Sequence, residues 1–380
     1  MNSHFIDTGL QSVLQTIQAV TIGSSVAQKS GYLNLYGDML SFYRNQWNMP
    51  MDGPYEELVK QMHEPADQLL VAAIDAESRG LTEAAARFAE SAAIIDHQIQ
   101  FFIASSAFFR KNGNITRSRK ILQALALNHP ESQDILSELF MCDVFENFWS
   151  HDYYDQFADI HRKYKPRVYL EIGVATGKSL ALARKGTRAI GIDPALEDKS
   201  PLIYHSPENT PQLYGMTSDD FFTTIDIVRE MGQTTFDVAF IDGLHHFDQV
   251  LRDFINLEKF AGPDSVILIH DCLPVNSRVA ARDRSTAFWT GDVWKIIPCL
   301  KAVRPDLEII TLPAPPAGLA MVRRLDPASR ILNRQYMTIR EQFDDLVLPE
   351  SWPERCRLLA VETDETTFNL RDYLPSGGWS

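Results

Sequence analysis

The sequence predicts an α/β protein: a seven-stranded, mostly parallel sheet whose last strand is antiparallel, preceded by an all-α domain. One change of pattern, one alternation and one short connection carry this reading. Up to about residue 165 the chain is helical in character and poor in glycine. Beyond it, short β-branched apolar runs alternate with helical segments, as in βαβ units. The last two runs are joined by "PAPPA" alone, which is too short for a helical crossover and demands an antiparallel hairpin.

At 380 residues the chain exceeds one typical domain and suits two. We expect a helical domain over 1–140, a sheet domain over 141–325 and a C-terminal helical extension and tail over 326–380. The tail "LPSGGWS" reads as loose. The composition is globular, with 45% hydrophobic and 23% charged residues. A net charge of −14 and scattered Lys and Arg argue against binding to nucleic acid or an anionic membrane. "MNSHFIDTGLQSVLQ" lacks a basic, apolar leader, and no apolar run is long enough to span a bilayer. Cys142, Cys272, Cys299 and Cys356 are far apart and form no CxxC pair. Reduced thiols and a cytoplasmic location are therefore expected.

In the helical part, "YLNLYGDMLSFYRNQW" reads as helix. Farther on, "RGLTEAAARFAESAAIIDH" (79–97) and "NGNITRSRKILQALALNHP" (112–130) each open on a Gly turn. Gly80 and Gly113 lie 33 residues apart, and "QIQFFIASSAFFRK" between them reads as a partner helix. The second copy resembles a tetratricopeptide repeat at Ser118, Leu122, Leu125 and Pro130, although Leu125 is larger than the usual Ala. The alternative is a plain helical bundle. A repeat array would present a concave face to a protein partner or a larger substrate, and these helices are also candidates for a homo-oligomer contact.

Seven strands follow: 167–174, 188–193, 212–218, 236–242, 265–271, 307–312 and 318–325, with helices after the first, third, fourth and fifth. The first strand–loop–helix is "YLEIGVATGKSLALA". A dinucleotide fingerprint needs a third glycine, and a P-loop needs four residues before Gly-Lys-Ser where this loop has three. What remains is acidic-x-Gly-x-x-x-Gly, met by Glu171, Gly173 and Gly177 around Thr176. It suits a ligand without phosphates, with backbone approach at the glycines and a carboxylate for a cationic ligand. Asp193 ends the second strand, where an acid accepts ribose hydroxyls. Ser218 and Asp219, after the third strand, are placed to meet an adenine edge.

With the loop, the acid and the reversed hairpin, residues 165–325 resemble a class I S-adenosylmethionine-dependent methyltransferase. The resemblance implies a Rossmann-like methyltransferase sheet and S-adenosylmethionine as cofactor.

The fourth strand ends at Asp242 in "FIDGLHHFDQVLRDF" and the fifth at Asp271 in "VILIHDCLP". Neighbouring strands lie about 4.8 Å apart, so the two carboxylates should converge beside the sulfonium methyl. Two close carboxylates need a proton or cation between them, and Mg²⁺ or another divalent cation would also lower the pKa of an acceptor hydroxyl. This resembles the metal-dependent O-methyltransferases of catechol and caffeoyl-coenzyme A type, which carry Asp-Asn where this chain has Asp271-Cys272. Cys is a poor Mg²⁺ ligand; His270, His245 or His246 would then complete the set.

"IDGLHHFDQVLRDF", "ILIHDC" and "GDVWKII" also resemble a bacterial branch that includes macrolide-sugar O-methyltransferases and cephalosporin-hydroxylase-like proteins. Asp242, Gly243, His245, Phe247, Val250 and Asp253 match its motif. The resemblance favours His245 over His246, as general base or metal ligand; a loop-fixing role is the alternative. Asp248 and Arg252 read as an exposed i,i+4 pair, and Asp253 as structural. His270 is expected on the sheet face opposite Asp271. Thr290, Gly291 and Asp292 read as a helix turn and Trp294 as packing. The expected function is metal-assisted O-methylation of a small molecule or glycan. A hydroxylase-like enzyme of the same branch and a non-catalytic binding module are the alternatives.

Overall fold

The structure, a computed structural model, describes residues 99–379 except 101, 104–105, 108, 112, 197–205, 207 and 367. The chain divides into two compact units, Met1–Ile135 and Leu136–Ser380. The division falls slightly before the expected residue 140. Residues 326–380 belong to the second unit rather than standing apart.

In the first unit, α1 (Ile115–Asn128) is capped by the Asn114 side chain, which accepts from the Arg117 amide at 3.2 Å. Its Ile121, Leu122 and Leu125 are buried. Residues 1–65 and the 79–97 copy of the repeat lie outside the described residues. Helix α2 (Gln133–Asn147) leads into the second unit.

The second unit is built on one sheet. Its strands are β1 (Val168–Ile172), β2 (Arg188–Ile192), β3 (Gln212–Tyr214), β4 (Phe236–Ile241), β5 (Ala261–His270), β6 (Glu308–Leu312) and β7 (Leu319–Arg323). Their order is β3-β2-β1-β4-β5-β7-β6, with β7 antiparallel to both neighbours. Every expected strand is present. β3 is shorter than expected because Thr217 caps the next helix, accepting from the Asp220 amide. The helix expected after β1 is a single 3-10 turn, Leu180–Leu182. Ala183 already returns to an extended conformation, and Gly186 turns the chain towards β2.

The helices are α3 (Tyr153–Asp159), α4 (Ser218–Thr224), α5 (Ile227–Met231), α6 (Phe247–Glu258), α7 (Ile296–Val303), α8 (Ile331–Arg334), α9 (Tyr336–Phe343) and α10 (Trp352–Leu358). The central strands are buried on both faces, which is why they read as unbroken apolar runs. One face (Leu170, Ala239, Ile241, Ile267, Ile269) packs in a core with residues of α6, α7 and the C-terminal helices. The other (Tyr169, Val238, Phe240, Leu268) packs with Tyr153 and Phe157 of α3. The tail is pinned rather than loose. Trp379 is buried and donates through Nε1 to the Asp264 carbonyl at 3.1 Å and through its amide to Tyr164 at 2.9 Å.

Arg304, just past α7, is 1% exposed, and its Nη1 donates to both carboxylate oxygens of buried Glu258 at 2.8 and 2.9 Å. Removing the cation strands a buried carboxylate. Arg304→Ala is expected to cost about 3–5 kcal/mol in chemical denaturation, and a second change, Glu258→Gln, to recover part of it.

Candidate functional site

β4 and β5 end side by side. Their register pairs Ile241 with Ile269, so one step further Asp242 meets His270 rather than Asp271. Strand alternation would send Asp271 to the other face. It does not, because Asp271 has φ +57° and leaves the strand in the left-handed region. Its carboxylate turns back towards its neighbours. The expectation that His270 lies away from Asp271 is therefore corrected: His270 Nδ1 is 3.1 Å from Asp242 Oδ1 and 3.4 Å from Asp271 Oδ2.

His245 closes the group from the loop after β4. Its Nε2 is 3.0 Å from Asp271 Oδ2 and 3.9 Å from Asp242 Oδ1. Its Nδ1 is 3.1 Å from the Trp289 carbonyl, and the Trp289 ring stacks on the imidazole at 5.1 Å. A carbonyl only accepts, so Nδ1 carries a hydrogen, and Nε2 is the nitrogen that faces the carboxylates. Two acceptors at 3.0 Å repel unless a proton or cation lies between them.

One ligand atom from each of Asp242, His245 and Asp271 lies within 4.8 Å of the other two. Bonds of about 2.0–2.2 Å to one ion would set adjacent ligand atoms about 3 Å apart; His245 and Asp271 already stand at 3.0 Å, and the 3.9 Å spacing to Asp242 would close on a divalent cation. Two carboxylates and one imidazole suit a borderline ion such as Mn²⁺, Fe²⁺ or Zn²⁺ better than Mg²⁺. Cys272 is no part of the set; it is fully buried and directs Sγ to the Ile269 carbonyl at 3.5 Å.

Charge within the cluster is unevenly shared. Burial holds the Asp242 carboxyl above its ordinary pKa, against the pull of His270. Burial also opposes ionisation of Asp271, but His270 and then His245 outweigh it and hold that carboxyl low. For His270, burial opposes the charged form, yet Asp271 and Asp242 hold its pKa well above the ordinary value. The ring of Tyr153 covers it at 4.2 Å.

The segment read as a simple helix turn braces this group. Gly291 has φ +62°, and a Cβ there would stand 1.9 Å from the His245 carbonyl oxygen. Asp292 Oδ1 accepts from the Phe247 amide at 2.7 Å, capping α6 from a distant segment, while Lys295 and Arg282 balance its charge. Trp294 packs as expected, at 2% exposure. Trp289 and Tyr153 had no signal in the sequence, since an aromatic residue in a loop or first helical turn has no distinguishing spacing.

The glycine loop abuts the backbone of Asp242. Gly173 has φ +90°, and a Cβ there would lie 2.0 Å from the Asp242 carbonyl oxygen. Gly177 turns the loop, its amide donating to Val174 at 2.8 Å, and Thr176 is exposed on it. Glu171 is completely buried and accepts from Tyr169 Oη at 2.6 Å and Ser179 Oγ at 2.7 Å. Asp193 accepts from the Val174 and Ala175 amides through Oδ2 and from Ala195 through Oδ1. Here both acids hold the loop from beneath.

Ser218 and Asp219 are also bonded to protein, Ser218 buried and Asp219 half-exposed. Ser218 Oγ donates to buried Asp253 at 2.6 Å, and Asp219 accepts from Arg252 Nε at 3.1 Å. These bonds tie α4 to α6 and confirm a structural position for Asp253. Arg252 also reaches Asp248, Gln249 and Tyr336. The Asp248–Arg252 pair is thus one arm of a half-buried network.

Residues 170–272 match a family model described as "Methyltransferase domain". This stretch is a methyltransferase domain. No curated protein matches the chain. Among similar solved structures, the O-methyltransferase TomG from Streptomyces achromogenes, solved with SAM, is 17% identical. It covers 45% of this chain and 78% of its own, at a TM-score of 0.31. The SAH-bound methyltransferase PaMTH1 of Podospora anserina is 16% identical over 48% and 82%, at 0.35. An O-methyltransferase from Bacillus cereus, in complex with SAH, is 15% identical over 53% and 96%, at 0.32. At TM-scores this low the likenesses decide nothing further.

Within the methyltransferase domain, Glu171 gives a pH signature. Burial raises its pKa from 4.5 to about 8, despite bonds from Tyr169 and Ser179. The folded state therefore holds a proton that the unfolded chain has released between 4.5 and about 8. Over that window this residue's contribution to stability falls as pH rises, and it levels off above. Glu171→Gln should remove the slope. The melting temperature of the native chain relative to the variant is expected to decline across the window in thermal scans.

Proposed function

We propose that this chain transfers a methyl group from S-adenosylmethionine to a hydroxyl of a small molecule or glycan, with a divalent cation held by Asp242, His245 and Asp271. The carrying observation is that these three side chains converge where β4 and β5 end, against the Gly173 loop of a methyltransferase domain. Such a crevice outside the carboxyl ends of the strands is where open α/β sheets take their ligands.

In the reaction the acceptor oxygen forms a bond to the methyl carbon as the sulfur–carbon bond breaks. Its electron pair stays on sulfur, and the hydroxyl gives up its proton. The cation, when bound, would lower the pKa of that hydroxyl and orient it. The protein supplies the frame: Trp289 fixes His245 with Nε2 towards the carboxylates, and Gly173 butts the loop against Asp242.

A second reading rests on His270. Its Nδ1 stands between the two carboxylates at 3.1 and 3.4 Å, where an imidazolium does the neutralising that a metal would do. His245 Nε2 would then accept the hydroxyl proton. The two readings are exclusive, because Nε2 has one lone pair and cannot be both ligand and base. The helical region before residue 136 is proposed to recruit a partner or larger substrate. Among the described residues no helix is long and apolar enough to cross a membrane.

Methyl transfer from labelled S-adenosylmethionine to a panel of hydroxyl-bearing acceptors, with and without EDTA, tests both. The metal reading expects activity to vanish with EDTA and return with Mn²⁺. It also expects Asp271→Ala or His245→Ala to weaken Mn²⁺ binding by about tenfold or more while cofactor binding persists. Full activity in EDTA overturns the metal reading in favour of the histidine one. Absence of S-adenosylmethionine binding overturns both.

A further inference from the structure

Lys178 follows Gly177 in the glycine loop and is exposed. Its ammonium sits 3.7 Å from the centroid of the Tyr154 ring. Among the described residues it forms no hydrogen bond or ion pair with a protein acceptor. The ring beneath it is not isolated. Tyr154 packs on Tyr153 at 4.0 Å, Tyr153 on His270 at 4.2 Å, and His270 Nδ1 is 3.1 Å from Asp242. A continuous stack thus runs from the candidate catalytic carboxylates to the cofactor loop and ends in a cation. Lysine loses rotamer freedom when held, and an exposed cation–π contact returns only about 0.5–1 kcal/mol. The contact aims the ammonium more than it stabilises the fold.

Part of the loop's backbone is already committed. Backbone amides usually hold an anion at such turns. Here the Gly173 amide donates to Ile192, those of Val174 and Ala175 to Asp193, and that of Gly177 to Val174. The side chains around the loop are otherwise acidic: Glu171, Asp193 and Asp242. The amino-acid end of the cofactor carries a carboxylate, and Lys178 is the cation that the loop holds beside it with no acceptor of its own among the described residues.

We infer that Lys178, braced on Tyr154, binds the carboxylate at the methionine end of the cofactor and so selects for an intact amino-acid terminus. This rests on the reading of the cofactor as S-adenosylmethionine. Tyr154 lies in the same field, its hydroxyl held above its ordinary pKa chiefly by burial and further by Asp242.

Calorimetric titration of the full chain with S-adenosylmethionine and with its decarboxylated analogue separates the outcomes. The native chain is expected to prefer S-adenosylmethionine. Lys178→Met should weaken it by about tenfold or more, as expected for loss of a charge-assisted hydrogen bond, and leave the analogue unchanged. Lys178→Arg should retain most of the preference, and Tyr154→Leu should lose part of it. If Lys178→Met binds both ligands as the native chain does, or weakens both equally, the inference is overturned while the cofactor reading stands. If the native chain binds neither ligand, the cofactor reading falls and the inference with it.

Discussion

Two neighbouring carboxylates, one buried and one half-buried, that cannot both stay charged without a compensating cation set the terms for the second unit of this protein. Asp242 and Asp271 lie at the ends of neighbouring strands, with His270 and His245 against them. Like charges at this separation in a buried site are tolerated only with positive charge between them. The surrounding structure supplies or accommodates that charge. His270 is stacked under Tyr153, His245 is held by Trp289, and the segment around Gly291 is closed over the carbonyl of His245. Removing the electrostatic demand would leave no reason for so much structure to converge on two strand ends.

Three backbone positions in the left-handed region make the convergence geometrically feasible. Gly173 at φ +90° lets the first loop touch Asp242, and Gly291 at φ +62° lets the loop after β5 touch His245. Asp271 at φ +57° is the costly one, since it carries a side chain. Such a conformation costs of order 1–3 kcal/mol and persists where the surroundings over-determine it. Here it converts a residue that alternation would hide into one that faces the site. The strain and the charge cluster are thus one feature: the backbone bends so that the second carboxylate can share His270 and His245.

Much of the fold was legible because parallel strands buried on both faces read as unbroken apolar runs, and because "PAPPA" leaves no room for a crossover. The helix after β1 was overestimated because "SLALA" has helical composition, whereas Gly186 ends the excursion after one turn. The tail was misjudged because a Gly-rich end gives no hint that Trp379 has a carbonyl waiting at Asp264. In the candidate site, Asp242 and Asp271 were read from their places at strand ends, and His245 from the motif that the chain resembles. His270 was not, because its position depends on register and on one backbone dihedral, and neither is written in residue type. Trp289 acts through its backbone carbonyl as well as its ring, so no side-chain pattern could have flagged it.

Residue type misleads in a second way. Glu171, Asp193, Ser218 and Asp219 occupy the positions where ligand contacts were expected, and in the structure each is engaged by protein. The energetic reason is shared. A buried acceptor is costly until it is paired, and donors lie close at hand: Tyr169 and Ser179 for Glu171, three loop amides for Asp193. Satisfied groups shape a pocket; they do not compete strongly for what enters it. Ligand contacts are then better sought among groups the protein leaves uncompensated. By that criterion the ammonium of Lys178 outranks the acids that a motif would name first. It stands at one end of the Tyr154–Tyr153–His270 stack, which joins the loop to the carboxylates.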